Sequence, residues 1–399
     1  MRYQFSGRTL DTERRELWDD GRQVAAEPQV FDLLEFLIRH RDRVVSRDDL
    51  IAGVWGGRIV SESTLATRIN AARKAIGDDG TAQRLIKTVA RKGFRFIGAV
   101  DDAAGPPPQP PTMATQDQTI TFCRTSDGVT LAVAAAGQGP VLVKTANWLN
   151  HLEHDWQSPV WRPFLQRLAA QFTVIRYDGR GNGLSDRAVS DLSQAAFERD
   201  LEAAVSGLGD EPFALLGLSQ GVAAAVAFAA RHPQRVSRLI LYGGYVQGRN
   251  RRGSPSDATA SQTMLAMMSQ GWGDENSAFM RAFSSLYLTD ASRAHLSSFA
   301  EMQRISSSSD MAARLRVACD DIDITALLPQ VRVPTLVIHA RKDNVSPIEQ
   351  ARVLAAGIAG AQFMTLDSEN HIPVPDDPVW PRLMEAIETF AAAEMPQRR

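Results

Sequence analysis

Ser219 lies in Gly217-Leu218-Ser219-Gln220-Gly221, after the apolar run Phe213–Leu216 and before the small residues Val222-Ala223-Ala224-Ala225. A strand, a G-x-S-x-G turn and a small-residue helix together hold a serine hydroxyl out on a sharp bend. The helix's positive end then sits where an oxyanion would form. Serine alone is a weak nucleophile: it needs a base, and the base needs an orienter. In the chain order serine, acid, histidine, the acid is Asp343, on a loop just past the apolar segment Thr335–His339. The histidine is His371, on a loop just past Gln362–Leu366. Asp367 is a rival acid, but too close in sequence to His371 to face it easily. The other six histidines fit poorly: His339 falls inside a strand, His232 at a helix end, His40 and His295 far from this motif. His151 and His154 flank Glu153 without a further ligand cluster, so no metal site is expected.

The elements that must position these groups alternate. Candidate strands are 120–125, 129–136, 141–144, 172–177, 213–217, 238–242, 335–339 and 362–366. Helices fit between them from Pro159, Ser193, Ser219, Pro347 and Pro378. Short apolar strands separated by helices predict a mostly parallel α/β sheet covered on both faces. Between 245 and 328 the strand pattern stops. Met264, Met267, Met268, Phe279, Phe283 and Phe299 there predict a helical lid over the sheet edge where such folds bind ligands.

The first hundred residues read differently. Tyr3–Leu10 and Glu16–Val24 predict strands. Val30, Leu33, Leu34, Leu37 and Ile38 give a helical stripe, Ser46 caps a second helix ending at Gly56-Gly57, and Ser61 caps a third. The third buries Leu65, Ile69, Ala72 and Ile76. Its opposite face carries Ser63, Thr67, Asn70 and Lys74, flanked by Thr64, Arg68 and Arg73. No acid occurs from Ser63 to Gly77, nor from Arg84 to Arg95, a stretch with Arg84, Lys87, Arg91, Lys92 and Arg95 that overlaps a predicted hairpin, Leu85–Ile97, turning at Gly93. Acid-free basic groups on two adjacent elements predict a grip on double-stranded DNA: short polar side chains for base edges, cations for phosphates.

The 399 residues carry a net charge of −2, distributed unevenly: 18 Lys+Arg against 14 Asp+Glu in the first hundred, 26 against 32 in the rest. Ordinary globular composition excludes disorder as the main theme. Two cysteines far apart exclude a disulfide framework or zinc finger. The longest apolar run, 222–230, is too short to span a bilayer, and MRYQFSGRTLDTERR lacks a signal-peptide core. The expectation is a soluble, cytoplasmic protein without membrane contact. Prolines 106, 107, 108, 110 and 111 mark 101–117 as a semi-rigid linker between a 1–100 domain and a 118–399 domain.

The front half resembles the OmpR/ToxR/CadC-type winged helix-turn-helix domain, through FDLLEFLIRHRDRVVSRDDLIAGVW and IKTVARKGFRF. That resemblance makes Ser61–Ile76 the recognition helix and Arg91–Arg95 the wing. Ala90 stands where ToxR-like members often have proline. No receiver domain precedes it in this sequence, so the input signal would come from the second domain. Residues 118–395 resemble the α/β-hydrolase superfamily, through the serine elbow, Asp343, His371 and YDGRGNGLSD at 177–186. The family's His-Gly oxyanion loop is replaced by Lys144-Thr145-Ala146-Asn147-Trp148. By position, the resemblance makes the Gln220 and Ala146 N–H groups the oxyanion donors. The expected architecture is therefore multidomain α+β and α/β: a winged helix, then an α/β-hydrolase fold with a helical lid. The expected function is a one-component transcriptional regulator whose second domain binds and hydrolyses a small ester, lactone or amide with an apolar portion. Two alternatives stay open: a sensor with an idle hydrolase domain, and an esterase whose front domain is an interaction module. No cofactor is expected, and a homodimer fits the paired half-sites such domains use.

Overall fold

A computed structural model of the chain describes residues 2–12, 15–19, 22–24, 26–55, 62–89, 92–102, 118–273, 277–289 and 291–393. The chain divides into two compact units, 1–113 and 114–399, each described by itself.

The first unit begins with β1 (Arg2–Phe5), β2 (Arg8–Asp11), β3 (Glu16–Asp19) and β4 (Arg22–Val24). The predicted strand 3–10 is thus a hairpin, turned at Ser6-Gly7 with φ of 45° and 77°. Three helices follow, α1 (Pro28–Arg39), α2 (Arg47–Trp55) and α3 (Glu62–Ala75), then the hairpin β5 (Ile86–Val89) and β6 (Gly93–Phe96). Ser46 caps α2 as expected: its Oγ accepts from the Asp49 N–H over 3.0 Å, and Asp49 Oδ2 accepts from the Ser46 N–H over 3.1 Å. The predicted stop at Gly56-Gly57 and cap at Ser61 lie outside the described residues. Asp101-Asp102, read as linker, form β7 and pair antiparallel with β1, closing a sheet of order β4-β3-β2-β1-β7. Gly93 has φ +137°, and a Cβ there would stand 2.0 Å from the Val45 carbonyl, so only glycine lets β6 pair with the loop before α2.

The second unit holds all eight predicted strands: β8 (Thr119–Arg124), β9 (Thr130–Ala136), β10 (Val141–Lys144), β11 (Thr173–Tyr177), β12 (Phe213–Leu218), β13 (Val236–Tyr242), β14 (Thr335–Ala340) and β15 (Gln362–Leu366). They form one sheet of order β15-β14-β13-β12-β10-β11-β9-β8. It is parallel except where β9 pairs with β8 and β11. Its helices are α4 (Leu152–Gln157), α5 (Arg162–Ala169), α6 (Gln194–Ala204) and α7 (Gly221–Arg231), with α12 (Ile348–Gly357) and α13 (Trp380–Ala392) after the lid. β12 is buried at every position, as central strands covered on both faces are.

Between β13 and β14 lie α8 (Pro255–Gly271), α9 (Ala278–Tyr287), α10 (Arg293–Ser306) and α11 (Ser309–Asp320). Each begins at a serine whose side chain accepts a backbone N–H three residues on: Ser254, Ser277, Ser292 and Ser308. Met268, Phe283 and Phe299 are buried among these helices, whereas Met267 is 45% exposed. No described helix is long and apolar enough to cross a membrane.

Candidate active site and candidate DNA-binding face

Ser219 has φ +54°, the left-handed region that a non-glycine residue occupies only under constraint. The constraint is visible. Its N–H donates to Tyr242 O over 2.9 Å, and a Cβ on Gly217 would lie 2.9 Å from Ala225 Cβ, so small residues let α7 press against β12. The bend points the hydroxyl at His371, where Ser219 Oγ–H donates to Nε2 over 2.8 Å. On the other side of the ring, Nδ1–H donates to Asp343 Oδ2 over 2.6 Å. The second Asp343 oxygen accepts from the N–H groups of Val345 (2.7 Å) and Ser346 (3.0 Å). Burial alone would raise the Asp343 carboxyl. The attraction and hydrogen bond of His371, with His339 and the Ser346 amide, outweigh that and hold it below the usual carboxylate range.

His371 is itself braced by the lid, its N–H donating to Tyr287 O over 3.0 Å. His339 is fully buried and pairs through Nε2 with Ser346 O at 2.9 Å, a core histidine that steadies the acid loop. Asp367 is exposed and borders a separate surface cavity, so it takes no part. His151 caps α4, its Nδ1 accepting from the His154 N–H, and no cluster of metal-ligating side chains exists among the described residues.

The Lys144–Trp148 loop packs on the serine turn: a Cβ on Gly221 would meet Ala146 O and Thr145 Oγ1, each at 2.3 Å. Lys144 is buried beneath it and donates to Asn147 Oδ1 over 2.6 Å and to Thr145 O over 3.2 Å. Burial pulls the Lys144 ammonium below its usual range, against the opposing pull of Asp155. Gln220 borders both the cavity containing Ser219 and a neighbouring one. Ala146 borders the neighbouring one. Both proposed oxyanion donors thus border that neighbouring cavity, and Gln220 borders the serine's as well.

That cavity measures about 30 Å³ and is lined by Trp148, Tyr245, Tyr287 and Val345, with Arg249, Arg252 and Arg316 among its polar walls. None of the lid methionines and phenylalanines singled out in the sequence lines it: Met268, Phe283 and Phe299 belong to the core shared with the sheet, Met264 and Phe279 pack against that core, and Met267 is exposed. The arginines were missed because they come from two stems of the lid, far apart in sequence, and each reads alone as a solvated charge.

In the first unit, Thr64, Thr67, Asn70 and Lys74 are exposed along α3, and Lys87, Lys92 and Arg95 are exposed on the hairpin. Arg95 Nε also donates to Arg41 O over 3.1 Å, and Arg68 is ion-paired with Glu27. The side chain of Ser63 and all of Arg91 lie outside the described residues. Arg73 is a correction. It is 5% exposed and turned inward, with Nε and one Nη donating to Ile86 O (3.2 and 2.9 Å) and that Nη also to Thr88 Oγ1 (2.8 Å). It ties α3 to β5 rather than facing DNA. Asp78, which sequence reasoning passed over, completes this joint by accepting from the N–H groups of Asp79, Arg84, Leu85 and Ile86. Burial opposes its ionisation, but those four amides hold its carboxyl below the usual range.

Comparison with known proteins places each half. The family described as "alpha/beta hydrolase fold" matches residues 153–378, and that described as "Transcriptional regulatory protein, C terminal" matches 21–96. An uncharacterized protein of Mycobacterium tuberculosis is 28% identical over 293 residues, covering 67% of this chain and 80% of its own length. The transcriptional activator CadC of Escherichia coli is 37% identical over 79 residues, 20% of this chain and 15% of CadC. The crystal structure of a hydrolase from Pseudomonas aeruginosa matches with a TM-score of 0.56 at 26% identity, over 69% of this chain and 99% of that one.

Proposed function

The chain belongs to the alpha/beta hydrolase fold family and carries an OmpR/PhoB-type DNA-binding domain ahead of it; from that premise we propose a one-component transcriptional regulator that binds and hydrolyses a small ester, lactone or amide. The observation that carries the enzymatic part is Ser219, held at φ +54° with its hydroxyl 2.8 Å from His371 Nε2, which Asp343 orients. In the first step Ser219 Oγ attacks the carbonyl carbon as its proton passes to His371 Nε2. The carbonyl π pair becomes an oxyanion facing the Gln220 N–H at the start of α7. Its collapse expels the alcohol or amine, which takes the proton back from His371, and leaves an acyl-Ser219. Water then repeats the sequence, releasing the acid and the free serine.

A second reading, a sensor with negligible turnover, draws on Ala146 bordering a cavity other than the serine's, since one missing oxyanion donor lowers the rate about 10²–10³-fold. One experiment separates them: labelling the full-length protein with a fluorophosphonate, beside Ser219→Ala, read by intact mass. Labelling lost in the variant is expected. A folded wild-type protein that takes no label would overturn the activated serine.

A further inference from the structure

The serine cavity has a charge imbalance that hydrolysis itself does not require. Three arginines border it, Arg249, Arg252 and Arg316, against one acidic residue, Asp320. Arg316 grips Asp320 with two nitrogens, at 2.8 and 3.1 Å. Arg249 stands 3.7 Å from the same carboxylate, which also accepts from the Ser261 hydroxyl over 2.5 Å. Arg252 has no acidic partner among the described residues: its Nε donates to Gln247 O over 2.9 Å, and its guanidinium lies 5.9 Å from the Tyr245 ring centre. Asp320 can neutralise one of the three, so about two positive charges remain on the wall of a cavity that also holds the nucleophile.

Burial of a cation is offset where an anion meets it, as Asp320 meets Arg316. An arginine whose side chain only solvated a surface would not need to line this cavity. The planar guanidinium fork matches a carboxylate with two parallel hydrogen bonds, and the Arg316–Asp320 pair already shows that geometry in the wall. The cavity, about 30 Å³ as it stands, has room for about one water, so the lid stems that carry these arginines part when a substrate enters.

We propose that the pocket takes a substrate or ligand with a free carboxylate remote from the carbonyl that faces Ser219, such as the monoester or monoamide of a short diacid, with Arg252 and Arg249 receiving the carboxylate. The proposal deepens the hydrolase reading and rests on it for the placement of the carbonyl. Its test does not depend on turnover. Full-length Ser219→Ala is titrated calorimetrically with monoethyl glutarate and with diethyl glutarate, which differ by one charge. The acid-ended ligand is expected to bind more tightly by about ten- to a hundredfold, the worth of hydrogen bonds to a charged group. Adding Arg252→Gln, or in a second protein Arg249→Gln, is expected to bring that ratio down at least fivefold, with melting curves confirming that each variant is folded. Equal affinities, binding of neither compound, or a ratio unmoved by both substitutions would each overturn the proposal. An inert serine would appear separately, as absence of fluorophosphonate labelling.

Discussion

At the scale of single residues, the activity of Ser219 turns on the tautomer of His371. Asp343 accepts from Nδ1–H, and that alone frees Nε2 to accept from Ser219. Asp343→Asn keeps a carbonyl oxygen for the Val345 and Ser346 amides, which now hold the acid loop. Its amide nitrogen then faces His371 as a donor. The ring must answer by carrying its proton on Nε2, where it points at the serine instead of accepting from it. The expected result is a fall of about 10⁴ in kcat with an unchanged melting temperature, checked by aryl-ester hydrolysis beside thermal denaturation. An equal fall in stability would mean that Asp343 braces the loop more than it orients the base.

At the scale of elements, the joint between α3 and the β5–β6 hairpin separates two kinds of arginine and lysine that look alike in sequence. Arg73 and Lys74 are neighbours, yet one is turned in and the other out. Arg73→Ala leaves Ile86 O without its side-chain donors and is expected to cost about 1–3 kcal/mol of stability. Lys74→Ala is expected to leave stability alone and to lower the slope of log affinity for DNA against log salt by about one, the signature of one lost phosphate contact. Denaturation and salt titration of both variants check the assignment, and a salt slope unchanged by Lys74→Ala would remove that residue from the DNA face. The contrast also marks how far sequence carries. Helical period placed Leu65, Ile69, Ala72 and Ile76 in the core, because an apolar seam fixes its own direction. It could not decide Arg73, which lies on the seam's flank: a long side chain there reaches either solvent or the neighbouring hairpin, and the hairpin's position is a tertiary fact. The same holds in the second unit. Eight strands, the serine turn and the two loops bearing Asp343 and His371 were legible because each is a local pattern at a strand end. The Arg249, Arg252 and Arg316 cluster was not, since only lid packing brings those stems to one cavity.

At the scale of the whole molecule, two compact units share one chain, joined through a segment with five prolines between 106 and 111. A ligand in one unit can alter DNA binding by the other only as far as it binds two states of the protein with different affinity. The lid supplies a candidate for the two states, because a cavity of about 30 Å³ must enlarge to admit any ester. If occupancy changes DNA affinity by some factor, DNA must change ligand affinity by the same factor, since coupling between binding sites is reciprocal. The test takes Ser219→Ala with monoethyl glutarate and a duplex selected by the protein from random sequence. DNA affinity is measured by fluorescence anisotropy with and without ligand, and ligand affinity by calorimetry with and without DNA. Matching factors of about 5–150 are expected, the usual range of such coupling. A factor of one in both directions, with both partners bound, would mean that the two units work independently. The regulator reading would then give way to a hydrolase whose DNA-binding domain serves only to place it.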